Sequence, residues 1–347
     1  MTLSALLVIC SALVISLMMT KVWQLMLLWG VVIGIGTGMT ALVLGATVSA
    51  RWFSARRGLV VGILTASVAT GQLVFLPLLA SLTERMGWRI ALTLICAMLG
   101  VAASAVLLVM RDRPSDLGLR PFGDEGAEPL PAPPPNTAPI MAAALGALRD
   151  AAKTRVFWIL FATFFICGAS TNGLIQVHLI PMCLDFGIPQ VQAAGLLAAM
   201  GVFDFFGTIV SGWLSDRYDN RWLLFWYYGL RGLSLVVLPF TSFSFYALSL
   251  FAIFYGLDWL ATVPPTVRLI AEKFGRERTN IVFGWVFMGH QLGSAAAAYG
   301  GGLSRTLLAS YLPAFFVAGA LCLIAAGLVL LIRKDDTSVA LRAVPAG

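Results

Sequence analysis

The sequence predicts an all-α integral membrane protein, a helical bundle of ten spans arranged as four, then a polar linker, then six. Three observations predict it. The 347 residues are 59% hydrophobic and 11% charged, with a mean hydropathy of +0.90, whereas a soluble domain carries about 25% charged residues. Apolar runs of about 20 residues, the length that crosses a bilayer, recur along the chain. The charges gather between these runs, and eighteen of the 23 Lys and Arg fall in one alternating set of loops. That set includes Arg51, Arg56 and Arg57, then Arg217 and Arg221, then Arg268, Lys273, Arg276 and Arg278. The positive-inside rule assigns it, with both chain ends, to the cytoplasm. A net charge of +7 placed this way speaks for lipid, not nucleic acid.

Residues 1–110 read as four spans, near 2–19, 22–48, 58–82 and 88–110. No basic residue precedes the first and further spans follow it, so it reads as a span and not a secretory signal. The second runs 27 residues, enough to tilt, and carries Gly30, Gly34 and Gly38 at a spacing that lets helix backbones approach. The basic loop Arg51–Gly58 follows. Residues 111–154 lose the apolar period, and proline crowds 129–139, so they read as a Pro-rich cytoplasmic linker. Residues 155–335 read as six spans, near 155–182, 191–214, 222–242, 244–270, 281–302 and 310–332, and 336–347 as a cytoplasmic tail. Pro264 and Pro265 should bend the span 244–270, because neither can donate a backbone hydrogen bond. Cys10, Cys96, Cys167, Cys183 and Cys322 are scattered singly and read as packing, with no metal spacing or disulfide framework.

Ionisable residues inside spans cost several kcal/mol to insert and are functional candidates by default. Asp204 falls mid-span, as a proton carrier or substrate contact, or as the partner of a buried ion pair with Arg231 on the next span. Arg231 reads as that structural pair or as a substrate-carboxylate ligand. Asp258 sits beside the proline bend, which is the best pointer in sequence to a transport site. Asn172, Gln176 and His178 add polar groups to the first span of the second half, Asn172 and Gln176 on one face. His290 and Gln291 lie mid-span. For each histidine, proton coupling stands against a neutral ring bonded to a neighbouring helix.

The two groups of spans echo one another. Trp29-Gly30, then Arg51-Trp52-Phe53, then Gly71-Gln72-Leu73 are matched by Tyr255-Gly256, then Lys273-Phe274, then His290-Gln291-Leu292. Three spans precede Tyr255 in the second half and one precedes Trp29 in the first. The repeat therefore predicts two pseudo-symmetric halves and a twelve-span architecture of which this chain carries ten.

The loop GWLSDRYDNR, Gly212 to Arg221, resembles the G-x-x-[SA]-D-R-x-G-R-[RK] loop of the major facilitator superfamily through Gly212, Asp216, Arg217 and Arg221. It departs at Asp219 and Asn220. RWFSARRGLVVGI, RDRPSDLGLRPFG and GVFDFFGTIVSGWLSDR resemble that superfamily's monocarboxylate and oxalate/formate branch. In the branch an intramembrane Asp matches Asp204. Animal monocarboxylate transporters follow it by an Arg one turn on, where this chain has Thr208. The resemblance implies a major-facilitator bundle in a bacterial inner membrane. It implies alternating-access transport of a small organic solute, a monocarboxylate or related anion, with protons or a counter-solute as partner. Export of amphipathic compounds is the alternative, as is a truncated chain serving as a non-transporting scaffold. The sequence holds no Ser–His–Asp arrangement, nucleotide loop or metal signature. No enzyme activity and no cofactor are therefore expected.

Overall fold

The computed structural model describes residues 2–37, 48, 52–53, 71, 74–111, 114–123, 140–241, 243–275 and 278–333. Gly38, most of the Arg51–Gly58 loop, the greater part of span 58–82, Gln72 and Leu73 of the repeat, linker residues 124–139 and the tail lie outside them. Among the described residues seven helices are long and apolar enough to cross a membrane, and Leu3–Ser16 and Val22–Thr37 are shorter apolar helices. The chain is all-α, as expected. It divides into two compact units, Met1–Gly71 with Leu78–Pro134, and Gln72–Pro77 with Pro135–Gly347.

In the first unit α1 (Thr2–Ser16) packs against α2 (Val22–Thr37) and α4 (Trp88–Val109), around Ile9, Leu13 and Leu92. The helix α3 covers 74–86. The glycine spacing on α2 does not make the expected contact. A Cβ on Gly30 would meet nothing within 4 Å, whereas Gly36, off that stripe, packs on Ile9 and the Ala5 carbonyl. Val31 and Ile35, beside the stripe, are exposed, so the face turned to α1 is a different one.

The main segment of the second unit, Pro135–Gly347, begins inside the expected linker. Residues Ile140–Ala151 form α5, a 12-residue helix. The proline density of 129–139 hid it. IMAAALGALRDA is rich in the strongest helix formers, Ala and Leu. Asp150 ties α5 to Arg278 at 3.4 Å, and the Trp285 indole donates to the Ala144 carbonyl at 3.0 Å.

Six spans follow: α6 (Arg155–Asp185), α7 (Gln190–Ser215), α8 (Asn220–Phe240), the interrupted pair α9 (Phe245–Asp258) and α10 (Val263–Phe274), α11 (Thr279–Leu308) and α12 (Leu312–Leu330). Thr154, Asp219 and Ser244 start α6, α8 and α9, their side-chain oxygens accepting from backbone N–H groups of the first turn. Wide π-helical turns interrupt α2 at Met26–Ile33 and α6 at Ala169–Gln176.

The spans pack as α6 on α11, α7 on α9 and α8 on α12. Between α6 and α11 the contact is backbone to backbone: Gly168 faces the His290 carbonyl and Gly293 faces that of Phe165. With lipid as solvent the hydrophobic effect does not drive helices together, so close approach of small residues does. The core between them holds Phe157, Phe164, Tyr228, Tyr255 and Phe315.

Candidate functional site

The site forms where the fourth of these six spans in chain order breaks. α9 stops at Asp258, residues 259–262 form turns, and α10 restarts at Val263. Pro264 and Pro265 have no N–H to give, so the carbonyls of Leu260 and Ala261 lose their helical donors. In hydrocarbon such groups must be bonded some other way. Val263 N–H reaches the Leu260 carbonyl at 2.9 Å. Ser211 of α7 donates its hydroxyl to the Ala261 carbonyl at 2.5 Å. Arg231 of α8 donates from Nη2 to the carbonyls of Asp258 and Trp259, the latter at 3.1 Å. The Leu260 N–H donates to Oδ1 of Asp204 on α7 at 2.9 Å.

The charges pair inside this frame. Arg231 Nε donates to Asp258 Oδ2 at 2.6 Å, with the arginine side chain fully buried and that of Asp258 8% exposed. Nη1 donates to Cys167 Sγ of α6 at 3.1 Å, and Cys167 lies 3.4 Å from the Thr262 hydroxyl. The rings of Tyr228 and Tyr255 stand 5.8 and 5.9 Å from the guanidinium, within the range of a cation–π contact. Oδ1 of Asp258 is buried and has no hydrogen-bond partner among the described residues.

Arg231 thus pairs with Asp258, and the ion pair with Asp204, one of the two readings its position allowed, does not form. Position on adjacent spans suggested Asp204; the fold instead lays the helix break across α8. Asp204 is half-buried and bonds Leu260 N–H and the Thr208 hydroxyl, at 2.9 and 3.0 Å. Two glycines bring it there. A Cβ on Gly207 would overlap the Leu257 carbonyl, and one on Gly256 the Met200 carbonyl. α7 and α9 therefore touch along their backbones, and Asp204 lies one turn from Gly207 at that contact.

His178, Asn172, Gln176 and Gln291 stand apart from this cluster, whereas His290 lies against it, its side chain within hydrogen-bond reach of Cys167. His178 is buried; its Nε2 lies 2.8 Å from the Ala298 carbonyl of α11, and its ring packs on Tyr311 with centroids 5.2 Å apart. His290 is buried too, stacked on Phe287 at 5.1 Å and 3.3 Å from the Gln291 side-chain oxygen. Gln291 is exposed, as is Gln176, and Asn172 is half-buried. Asn172 and Gln176 both lie on the π-helical stretch of α6, a feature frequent at functional sites.

A family model of the Major Facilitator Superfamily matches residues 1–298 and, in an overlapping second match, 181–346. The chain belongs to the major facilitator superfamily. An uncharacterised MFS-type transporter, YcxA of Bacillus subtilis, is 28% identical over 87% of this chain and 69% of its own length. Monocarboxylate transporter 13 of Rattus norvegicus is 28% identical over 90% of the chain and 68% of its own length. Monocarboxylate transporter 12-B of Danio rerio is 28% identical over 77% and 59% respectively. The protein is accordingly a multi-pass membrane transporter of solutes and not an enzyme.

Its superfamily-like loop closes the basic end of the second unit. Asp216 forms an ion pair with Arg268 of α10. Arg217 folds back over Trp213, 4.2 Å from the ring centroid. Gly212 has open space at its Cβ position. Arg221 grips Asp219 with two parallel bonds, at 3.0 and 2.6 Å, and donates its remaining arm to the Ile332 carbonyl at 2.8 Å. Lys273 donates to the Arg333 carbonyl, also at 2.8 Å. Two cations thereby bond carbonyls past the end of α12. Asn220 accepts from the Ser215 hydroxyl at 2.5 Å. The two positions where the loop departs from the superfamily pattern, Asp219 and Asn220, carry much of its bonding. An Asp ahead of an apolar run is a helix-start signal, and the role of Asp219 was readable from it. Ser211 and Cys167 carried no such signal, since small polar residues are ordinary inside membrane helices.

Proposed function

We propose that this transporter moves a small organic anion, a monocarboxylate or close relative, by alternating access coupled to protons or to a counter-solute. The observation that carries this reading is Asp204, a half-buried carboxylate bonded to the N–H of a broken helix, 2.9 Å from Leu260 N. Its position lets one group take up a proton and act on the break. Discontinuous helices with polar groups at their broken ends are the usual material of secondary-transport sites. The names of the two monocarboxylate transporters among the relatives support the substrate class. In this reading Asp204 carries the proton. Asp258 couples to it through the shared break, and Asn172, Gln176, His178, His290 and Gln291 supply polar contacts to the solute or its path. Residues 1–110 form one half and 155–335 the other, joined by 111–154, in a bacterial inner membrane with both ends of this chain cytoplasmic.

The test uses purified protein in liposomes with a panel of short radiolabelled monocarboxylates. An inward proton gradient should accelerate uptake. Asp204→Asn should remove that acceleration, and Asp258→Asn should lower or uncouple flux, both without loss of membrane insertion. Gradient-driven flux at the wild-type rate in Asp204→Asn would remove Asp204 from the mechanism. No flux of any monocarboxylate would overturn the substrate class.

A further inference from the structure

We propose that Arg231 is a positioning residue, and that Arg231, Ser211 and Cys167 together latch the α9–α10 break shut. The role goes beyond the substrate reading above and holds for any solute carried. Four donor bonds of the guanidinium are already placed: one on Asp258 Oδ2, one on Cys167 Sγ, and two on the carbonyls of Asp258 and Trp259. Its exposure is zero. A solute carboxylate therefore has no route to Arg231 while the break is closed. The bonds that hold residues 258–262 come from three other helices: α6 through Cys167, α7 through Asp204 and Ser211, and α8 through Arg231. α10 swings relative to α9 only when the carbonyls of Asp258, Trp259 and Ala261 are released. A lysine at 231 cannot replace the latch, because one compact ammonium does not span a carboxylate, two carbonyls and a thiol.

Cys167 is 1% exposed, beneath the guanidinium and against Thr262, so a maleimide reaches it only when the latch parts. Two single-cysteine proteins are needed, one retaining Cys167 and one retaining Cys183. Cys183 is equally buried, on the same helix, 16 residues on and about 24 Å away. In membrane vesicles Ser211→Ala should raise the maleimide labelling rate of Cys167 about fivefold, the shift expected from losing one net hydrogen bond. Arg231→Lys should raise it further. Labelling of Cys183 should stay unchanged in both, and Ser211→Thr, which keeps the hydroxyl, should return Cys167 to the wild-type rate. Unchanged labelling of Cys167 overturns the latch, as does an equal rise at Cys183, which would report general loosening. Labelling as expected with no solute flux in the wild type would overturn the transport reading and leave the latch standing.

Discussion

At the scale of the residue, the Arg231–Asp258 pair sets how much each substitution costs. A buried pair is worth little against an apolar replacement, but removing one partner strands the other charge in hydrocarbon. Arg231→Ala should therefore lower stability by about 3–5 kcal/mol, read from thermal unfolding in detergent. The double variant Arg231→Met with Asp258→Leu should recover part of that loss, the Asp258 and Trp259 carbonyls staying unbonded, while failing to transport. Equal destabilisation by the single and double variants would show that packing, not charge, sets the cost. Gly207 gives a sterically defined case. A side chain there overlaps the Leu257 backbone, which cannot rotate away. Gly207→Val should cost at least about 1–3 kcal/mol and part Asp204 from Leu260. Stability and flux at wild-type levels would show that α7 and α9 separate freely.

At the scale of the element, the break between α9 and α10 follows from two prolines and from what their neighbours do with the freed carbonyls. Restoring the donors, with Pro264→Ala and Pro265→Ala together, lets the helical ladder run through. The Leu260 and Ala261 carbonyls are then satisfied within the helix, and Ser211 loses its acceptor. The expected result is a protein that inserts and is no less stable, with transport at least tenfold slower. Undiminished flux would mean the break is incidental to the cycle. This element was legible in sequence from the proline pair beside an intramembrane acid. Its bonding was not. Which acid Arg231 selects depends on α8 lying across the break, a fact of packing and not of spacing. The reverse holds for α5, which the composition of 140–151 announces and the neighbouring prolines concealed. The Gly30 and Gly34 stripe shows a third case, where spacing permits close approach but the facing surface decides whether it happens.

At the scale of the whole molecule, hydropathy and loop charge were enough to read an all-α membrane protein, because a bilayer admits so few backbone solutions. The family model, matched across most of the chain, places it in its superfamily. Orientation remains a prediction of the basic loops. Alkaline phosphatase fused to the C-terminus should be inactive, and a fluorescent protein fused there should fluoresce. Active phosphatase would reverse the topology. The basic end of the second unit makes a linked prediction. Arg221→Ala releases both Asp219 and the Ile332 carbonyl, so it should loosen α12 from α8 and cost about 1–3 kcal/mol. Arg217→Ala, whose side chain only folds over its own helix, should cost almost nothing.

The wide turns of α6 have an effect on what lengths of chain the helix tolerates. Removing a residue from a regular helix turns everything beyond it by about 100°. A π-helical turn holds a spare residue, so a deletion within 169–176 can be absorbed as the turn tightens to ordinary pitch. Cys167 below and His178 above would keep their azimuth, and Asp185 would still meet Arg305, 2.7 Å away in the native chain. The same deletion within 157–166 would throw all three out of phase. α6 has slack at one place along its length, beside the half-buried Asn172.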